Sequence, residues 1–203
     1  MIARDEREAF QATLQRAAQV IIAITLPIAV LMMIGLRPLI AAAFNFDTAG
    51  TDLLLWTTRG FLIGLTGQCL LEVAVRSFYA RQDAITPLFT AGINFIVYTV
   101  LGVILFRSMG APGISLADSL AFTSQAVLLL VLLNRRLIKR LSLVVSLPRA
   151  LLAALVGGGV VIMVRALPYS ASQPLMMGVV ALALGGLLAL LPIWKDIRLL
   201  LRL

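Results

Sequence analysis

The chain contains no histidine and only one cysteine, Cys69, among its 203 residues. The absence of imidazole removes the usual general base and the commonest metal ligand. A single cysteine excludes an intrachain disulfide. The sequence also lacks a Walker loop, an HExxH motif and any serine with a partner base. We therefore expect that the protein is not an enzyme, and that it uses no cofactor and no metal.

Hydrophobic residues, by contrast, make up 61% of the chain, and the mean hydropathy is +1.04. A bilayer core is crossed by about 20 helical residues, whose backbone groups must be satisfied within the helix. The pattern predicts an all-α integral membrane protein with a single membrane domain over residues 1–203. The predicted parts are an interfacial cytoplasmic helix at 1–17, spans at about 20–43, 53–80, 88–106, 114–133, 150–167 and 175–193, and a cytoplasmic tail at 194–203.

The net charge of +8 comes from basic residues at the ends of loops, which favours the lipid bilayer and not nucleic acid as the partner. A cytoplasmic N-terminus would place thirteen of the Lys and Arg residues on the cytoplasmic side and only three, Arg37, Arg107 and Arg165, on the other side. Positive charge accumulates on the cytoplasmic side of membrane proteins. This asymmetry predicts that both termini are cytoplasmic.

Polar residues inside the predicted spans are the candidates for a substrate site or cavity, because ionisable groups are costly in lipid. The candidates are Arg59, Glu72, Asn94, Asp118 and Gln125. Arg59 either faces a cavity that receives an anionic substrate or extends towards the nearby headgroups.

Glu72 lies four residues before Arg76, a spacing that favours an ion pair over a proton relay. Two further polar stripes either line a water-filled path or hydrogen-bond neighbouring helices, and packing is the commoner role. The stripes are Thr90, Asn94 and Tyr98 on the third span, and Ser115, Asp118, Ser119 and Gln125 on the fourth.

Several segments, taken together, resemble the peptidoglycan lipid II flippases of the MurJ/MviN family. The segments are Leu26-Pro27, Arg37-Pro38-Leu39-Ile40, the loop from Ser77 to Pro87, Asn94, and GAPGISLADSL at Gly110–Leu120. The most specific is FYAxxDxxTP, formed by Phe78, Tyr79, Ala80, Asp83, Thr86 and Pro87. The similarity covers about Arg4 to Arg140 well, whereas the last two spans match only in length and position.

The resemblance implies the C-terminal part of a fourteen-helix flippase with the multidrug/oligosaccharidyl-lipid/polysaccharide (MOP) exporter fold. It implies movement of lipid II from the cytoplasmic to the outer leaflet of the bacterial inner (plasma) membrane, for cell wall synthesis. The implied partners are an undecaprenyl-pyrophosphate-linked glycan and the N-terminal lobe of the family, which carries most of the pyrophosphate-binding arginines. The last two spans would line a groove for the lipid tail.

Two alternatives remain open at this point. The chain could export another lipid-linked oligosaccharide or polysaccharide, because sister families share this architecture. It could also be a truncated membrane scaffold that transports nothing.

The charge asymmetry predicts that the NRRLIKR turn at Asn134–Arg140 is cytoplasmic. In a Cys69→Ser background, a Lys139→Cys thiol should resist a membrane-impermeant reagent in intact cells and react in inverted vesicles. Ala111→Cys, in the next turn along the chain towards the N-terminus, should show the opposite pattern. Labelling of Lys139→Cys from outside the cell would contradict the orientation.

Overall fold

The protein is described here by a computed structural model that covers residues 2–135, 137, 146–167 and 173–197, with side chains described between 8 and 194. All regular structure in this part of the chain is helical, which confirms the all-α prediction. The helices are α1 (Ile2–Gly35), α2 (Arg37–Phe44), α3 (Thr48–Ala80), α4 (Ile85–Met109), α5 (Ala111–Arg135), α6 (Leu147–Arg165) and α7 (Pro174–Ile197).

Six of these helices, all except the short α2, are long and apolar enough to cross a membrane. The shortest, α6, has 19 residues, or about 28 Å at about 1.5 Å per residue. The chain is therefore a multi-pass membrane protein. The helices generally extend a few residues beyond the predicted spans, although α6 ends two residues before the predicted end of the fifth span.

The two ends of the chain differ in detail from the predicted segments. The predicted interfacial helix at 1–17 continues into the first span as one helix, since α1 runs unbroken from Ile2 to Gly35. At the other end, α7 continues through Pro192 to Ile197, so no separate helix begins after that proline. Residues 198–203 of the predicted tail, residues 168–172 of the last loop, and Arg136 and 138–145 around the NRRLIKR turn lie outside the described residues.

The first predicted span is divided by a break at Leu36, between α1 and α2. Pro38 occupies the first turn of α2, where it has no N–H to donate to the carbonyl four residues earlier. Pro27, in contrast, lies inside the continuous α1. The neighbouring helices must therefore supply donors at the Leu36 break.

The helices form two groups that share α1. In one group α3 packs between α1 and α5, and α4 covers the outer side of α5; in the other, α6 and α7 pack on α1 and on each other. We call the end of the bundle that holds α2 and the α4–α5 turn the Arg37 end, and the end that holds the α3–α4 turn the Arg81 end. Each group has an apolar core, one centred on Phe78 and Leu129 and the other on Leu31 and Val161.

The contact between α3 and α5 depends on a row of glycines on α3. A Cβ atom added at Gly64 would lie 2.6 Å from the Cα of Ser119. A Cβ added at Gly60 or Gly67 would lie 2.9 Å from the Cβ of Ser115 or Thr123. The close approach lets the Ser119 hydroxyl donate to the Gly60 carbonyl at 2.6 Å and accept from the Gly64 N–H at 3.1 Å. Small residues and hydrogen bonds of this kind hold helices together in lipid, where apolar burial gives little driving force.

Most of the surface of α4 is exposed. Only 6% of its most apolar segment is buried in the protein, and its exposed residues include Leu88, Phe89, Phe95 and Ile96. Its buried residues, Pro87 and Thr90, lie in the turns nearest the Arg81 end.

The glycine row predicts that Gly64→Ala destabilises the fold by about 1–3 kcal/mol, because the added methyl group would push Ser119 and its helix away. The matched control is Gly102→Ala on α4, where an added Cβ meets nothing within 4 Å. The control should be neutral or more stable by up to about 1 kcal/mol, since alanine favours helix. Thermal unfolding in detergent measures both variants. Equal melting temperatures for the two would contradict the packing described here.

Candidate functional site

The break at Leu36 brings two arginines from different helices to the end of α1. Arg59 on α3 donates its Nε–H to the Met33 carbonyl at 2.9 Å. Arg165 on α6 donates from Nη1 to the Ile34 carbonyl at 2.6 Å. In a continuous helix, residue 38 would donate its N–H to the Ile34 carbonyl, but Pro38 has no N–H to donate. The two guanidinium groups therefore cap consecutive carbonyls at the negative end of the α1 dipole.

Arg59 also lines a cleft of about 530 Å³ at the Arg37 end, which we call the Arg59 cleft. The cleft lies between α3 and the beginning of α5. Its polar lining residues are Asp52 and Arg59, and the remainder is mainly apolar, including Trp56, Ile63 and Met109. Arg59 is eleven residues from the start of α3, or about 16 Å along the helix at about 1.5 Å per residue.

The guanidinium of Arg59 is held from two sides. Its Cζ atom lies 4.8 Å from the centre of the Trp56 ring, a distance that allows a cation–π interaction. Its Nε–H donates to the Met33 carbonyl, and within the described residues the Arg59 side chain makes no other hydrogen bond. A guanidinium has five N–H donors. This arrangement fixes the plane of the group and leaves its Nη atoms available to an anion that enters the cleft.

An ion pair lies beside the Arg59 cleft, to whose lining it contributes Asp52. Arg37 donates from Nε and Nη2 to Asp52 Oδ1, at 3.2 and 2.9 Å, and both side chains are about half exposed. Exposed pairs contribute little to stability. The pair nevertheless connects α2 to α3 and partly balances the positive charge of the Arg37 end.

Asp118 and Gln125, on α5, contact different neighbouring helices. Asp118 Oδ2 accepts from Gln68 Nε2 on α3 at 3.1 Å. Gln125 is buried and donates to Thr90 Oγ1 on α4 at 3.5 Å. Both are contacts between helices, in agreement with the packing interpretation of the polar stripes.

Asn94 lies one helical turn beyond Thr90 on α4 and is half-buried. Its Oδ1 atom is buried and has no hydrogen-bond partner among the described residues. Asn94 is therefore near the α4–α5 contact and is not part of the Arg59 cleft.

Glu72 forms the expected pair with Arg76, at 3.8 Å between Glu72 Oε2 and Arg76 Nε. Both side chains are strongly exposed on the outside of the bundle. Within the described residues, no three His, Cys, Asp or Glu side chains are grouped as a metal site would require. Of the five candidates in the spans, Arg59 is the one that lines the Arg59 cleft.

The FYAxxDxxTP loop forms the turn between α3 and α4. The Phe78 ring is fully buried in the core beside Leu129, and the Phe78 carbonyl accepts from the N–H groups of Arg81 and Asp83, both at 3.0 Å. Gln82, between them, has a left-handed backbone with φ of 58°. The motif thus specifies a tight reversal of the chain.

Asp83 then caps α4. Its Oδ1 accepts from the Thr86 N–H at 3.0 Å and its Oδ2 from the Thr86 hydroxyl at 2.8 Å. Pro87 is buried in the first turn, where a missing N–H costs nothing. Tyr79 and Ala80 are exposed at the end of α3.

Comparison with known proteins identifies the family of the chain. Residues 1–187 match the family model described as "Lipid II flippase MurJ". The chain belongs to the lipid II flippase MurJ family. Two MurJ relatives, each described as a probable lipid II flippase MurJ, come from Rhizobium meliloti (strain 1021) and Rhizobium tropici.

The first relative is 29% identical over 182 residues, which are 86% of this chain and 34% of the relative. The second is 30% identical over 152 residues, which are 72% of this chain and 28% of the relative. The chain therefore spans about a third of the length of the MurJ relatives that it matches. The match confirms the family resemblance carried by the FYAxxDxxTP loop.

Sequence reasoning did not identify Arg165 and Trp56 as parts of this region. Arg165 stands at the end of a span and contributes only to the charge count. The signal that could have indicated its role is Pro38, because a proline leaves the carbonyl of residue Ile34 without its usual donor. Trp56 precedes Arg59 by three residues, a spacing at which two side chains meet on one helical face.

The cap at Asp83 predicts that Asp83→Ala destabilises the protein by about 1 kcal/mol, through loss of both Thr86 contacts. Asp83→Asn should lose much less, because its side-chain oxygen still accepts from the Thr86 N–H. Thermal unfolding in detergent separates the two variants. Equal destabilisation by alanine and asparagine would show that the charge of Asp83, and not the cap, is what matters.

Proposed function

We propose that the chain forms one wall of the vestibule of a lipid II flippase. Its cargo would be the undecaprenyl-pyrophosphate-linked peptidoglycan precursor, moved from the cytoplasmic to the outer leaflet of the bacterial inner membrane. The observation that carries this proposal is the Arg59 cleft, a space large enough for a headgroup with a cation fixed in its wall. The match to the MurJ family over residues 1–187 supports the same cargo.

The chemistry of the cleft suits a pyrophosphate. The Nη atoms of Arg59 can approach two phosphate oxygens in the forked geometry that guanidinium groups favour. Trp56 and the Met33 carbonyl hold the group in position, so that little side-chain entropy is lost when the anion binds. Among the residues that line the cleft, Arg59 is the cation that attracts an anion, since the remainder of the lining is mainly apolar.

Transport would follow the alternating-access scheme, in which two bundles rock about a central polar site. The second wall would come from polypeptide that corresponds to the rest of the MurJ relatives, as the N-terminal lobe of the family implies. We place the Arg37 end on the outer side and both termini in the cytoplasm, because that orientation puts most basic residues in the cytoplasm. The Arg59 cleft would then serve the half of the path that opens outward.

The proposal predicts that depletion of the gene makes lipid II accumulate and cells lose their shape. A copy with Arg59→Gln should fail to reverse this, whereas Arg107→Gln, an exposed arginine in the last turn of α4, should reverse it. Arg59→Lys should be intermediate, since lysine keeps the charge but lacks the fork. Lipid II extraction with quantification of protein in the membrane measures the effect.

The outcomes separate the possible functions. Full rescue by Arg59→Gln would remove Arg59 from the site. Accumulation of a different lipid-linked glycan upon depletion would identify another cargo. Normal lipid pools after depletion would indicate a scaffold that transports nothing.

A further inference from the structure

A second, smaller cleft lies on the other side of the α1–α2 break. Its volume is about 280 Å³, and its lining includes Arg37, Phe46, Thr48, Thr51 and Arg165. We call it the Arg165 cleft. Residues of α2, the start of α3, the end of α6 and the start of α7 form its walls. It shares no lining residue with the Arg59 cleft.

The described lining of the Arg165 cleft contains two arginines and no carboxylate. Asp52 lines the Arg59 cleft instead, but it holds Nε and Nη2 of Arg37 at 3.2 and 2.9 Å, so Arg37 offers its remaining N–H donors to an anion in the Arg165 cleft. Asp47 uses its Oδ1 to cap α3, accepting from the Gly50 N–H at 2.9 Å, so the helix end already has its anion. The attraction for a further anion comes from the arginines, and the hydroxyls of Thr48 and Thr51 add groups that can donate to phosphate oxygens.

The rim of the cleft is suited to the membrane interface. Phe46 is 53% exposed and stacks on Phe44, with the ring centres 5.6 Å apart. Exposed aromatic rings beside arginines are typical of the level of the lipid headgroups. The volume of about 280 Å³ lies just below that of ligand clefts, which range over about 300–1,000 Å³. It therefore fits a single phosphate-sized group better than a glycan.

We propose that the Arg165 cleft binds the phosphate group of a lipid in the leaflet that meets the Arg37 end. Arg37 and Arg165 contact the phosphate from two sides, and Phe46 packs on the glycerol or the first part of the chain. The site is separate from the Arg59 cleft and takes a different molecule from the cargo. It requires no transport, so it stands or falls independently of the proposed function.

The test is equilibrium binding of a fluorescent short-chain phosphatidylglycerol to the whole chain in uncharged detergent. Ala41→Phe should fill the cleft, since Ala41 lines it, whereas Ala43→Phe on the same exposed helix should not. Arg37→Gln removes one of the two charges, with Arg107→Gln as its control. We expect Ala41→Phe and Arg37→Gln each to weaken binding about tenfold, the usual loss for a charge-assisted contact, and both controls to bind as the unmodified chain does.

Competition distinguishes the source of the phosphate. Unlabelled phosphatidylglycerol should displace the probe, diacylglycerol with the same chains should not, and inorganic phosphate should displace it only at far higher concentration. Displacement by diacylglycerol as effective as that by phosphatidylglycerol would overturn phosphate recognition. Equal potency of inorganic phosphate would overturn the lipid as ligand. Equal binding by Ala41→Phe and Ala43→Phe would overturn the location, provided that both variants unfold at the same temperature as the unmodified chain.

Discussion

A backbone carbonyl in lipid needs a donor, because an unsatisfied polar group in the hydrocarbon costs several kcal/mol. The break in α1 creates this demand at Met33 and Ile34, and the protein meets it with side chains from α3 and α6. Arginine suits the task, since its long stem reaches the carbonyl while the guanidinium keeps several donors. The same two contacts place a cation beside each of the two clefts.

In lipid the hydrophobic effect gives helices little reason to associate, so the bundle depends on close packing and hydrogen bonds between helices. The α3–α5 contact brings backbones close through Gly60 and Gly64 and adds the Ser119 hydrogen bonds. The α6–α7 contact is similarly close, since a Cβ added at Gly157 would lie 2.7 Å from the Gly185 carbonyl oxygen and one added at Gly185 would lie 2.8 Å from the Gly157 carbonyl oxygen. On α4 itself, Gly92 and Gly102 meet nothing within 4 Å, and most of the surface of this helix is exposed.

Much of the architecture could be predicted from the sequence, because a span depends on a long apolar run and on nothing more distant. The pair of Glu72 with Arg76 was equally local, being fixed by spacing along one helix. The contact of Asp118 with Gln68 was not, because periodicity does not tell which helices become neighbours. The partner of Arg59 was out of reach for a further reason, since it is a backbone carbonyl. A carbonyl has no letter in the sequence, and Pro38 indicated only that the Ile34 carbonyl, the partner of Arg165, lacked its usual donor.

The motif that best indicated the family turned out to be largely structural. Phe78 anchors the core, and Asp83 with Thr86 starts α4. The groups that suit anion binding lie at the opposite end of the bundle, in segments with less distinctive letters. A motif that specifies a sharp turn tolerates few replacements and is easily recognised, whereas a single arginine in a cleft is not.

The helix α1 touches both groups of helices, and its broken end is tied to each by one arginine. The two contacts therefore join the two groups of helices through the last turn of α1. An anion bound by the Nη atoms of Arg59 would leave the contact of its Nε with Met33 in place, so that α1 stays connected to α3 while the cleft is occupied.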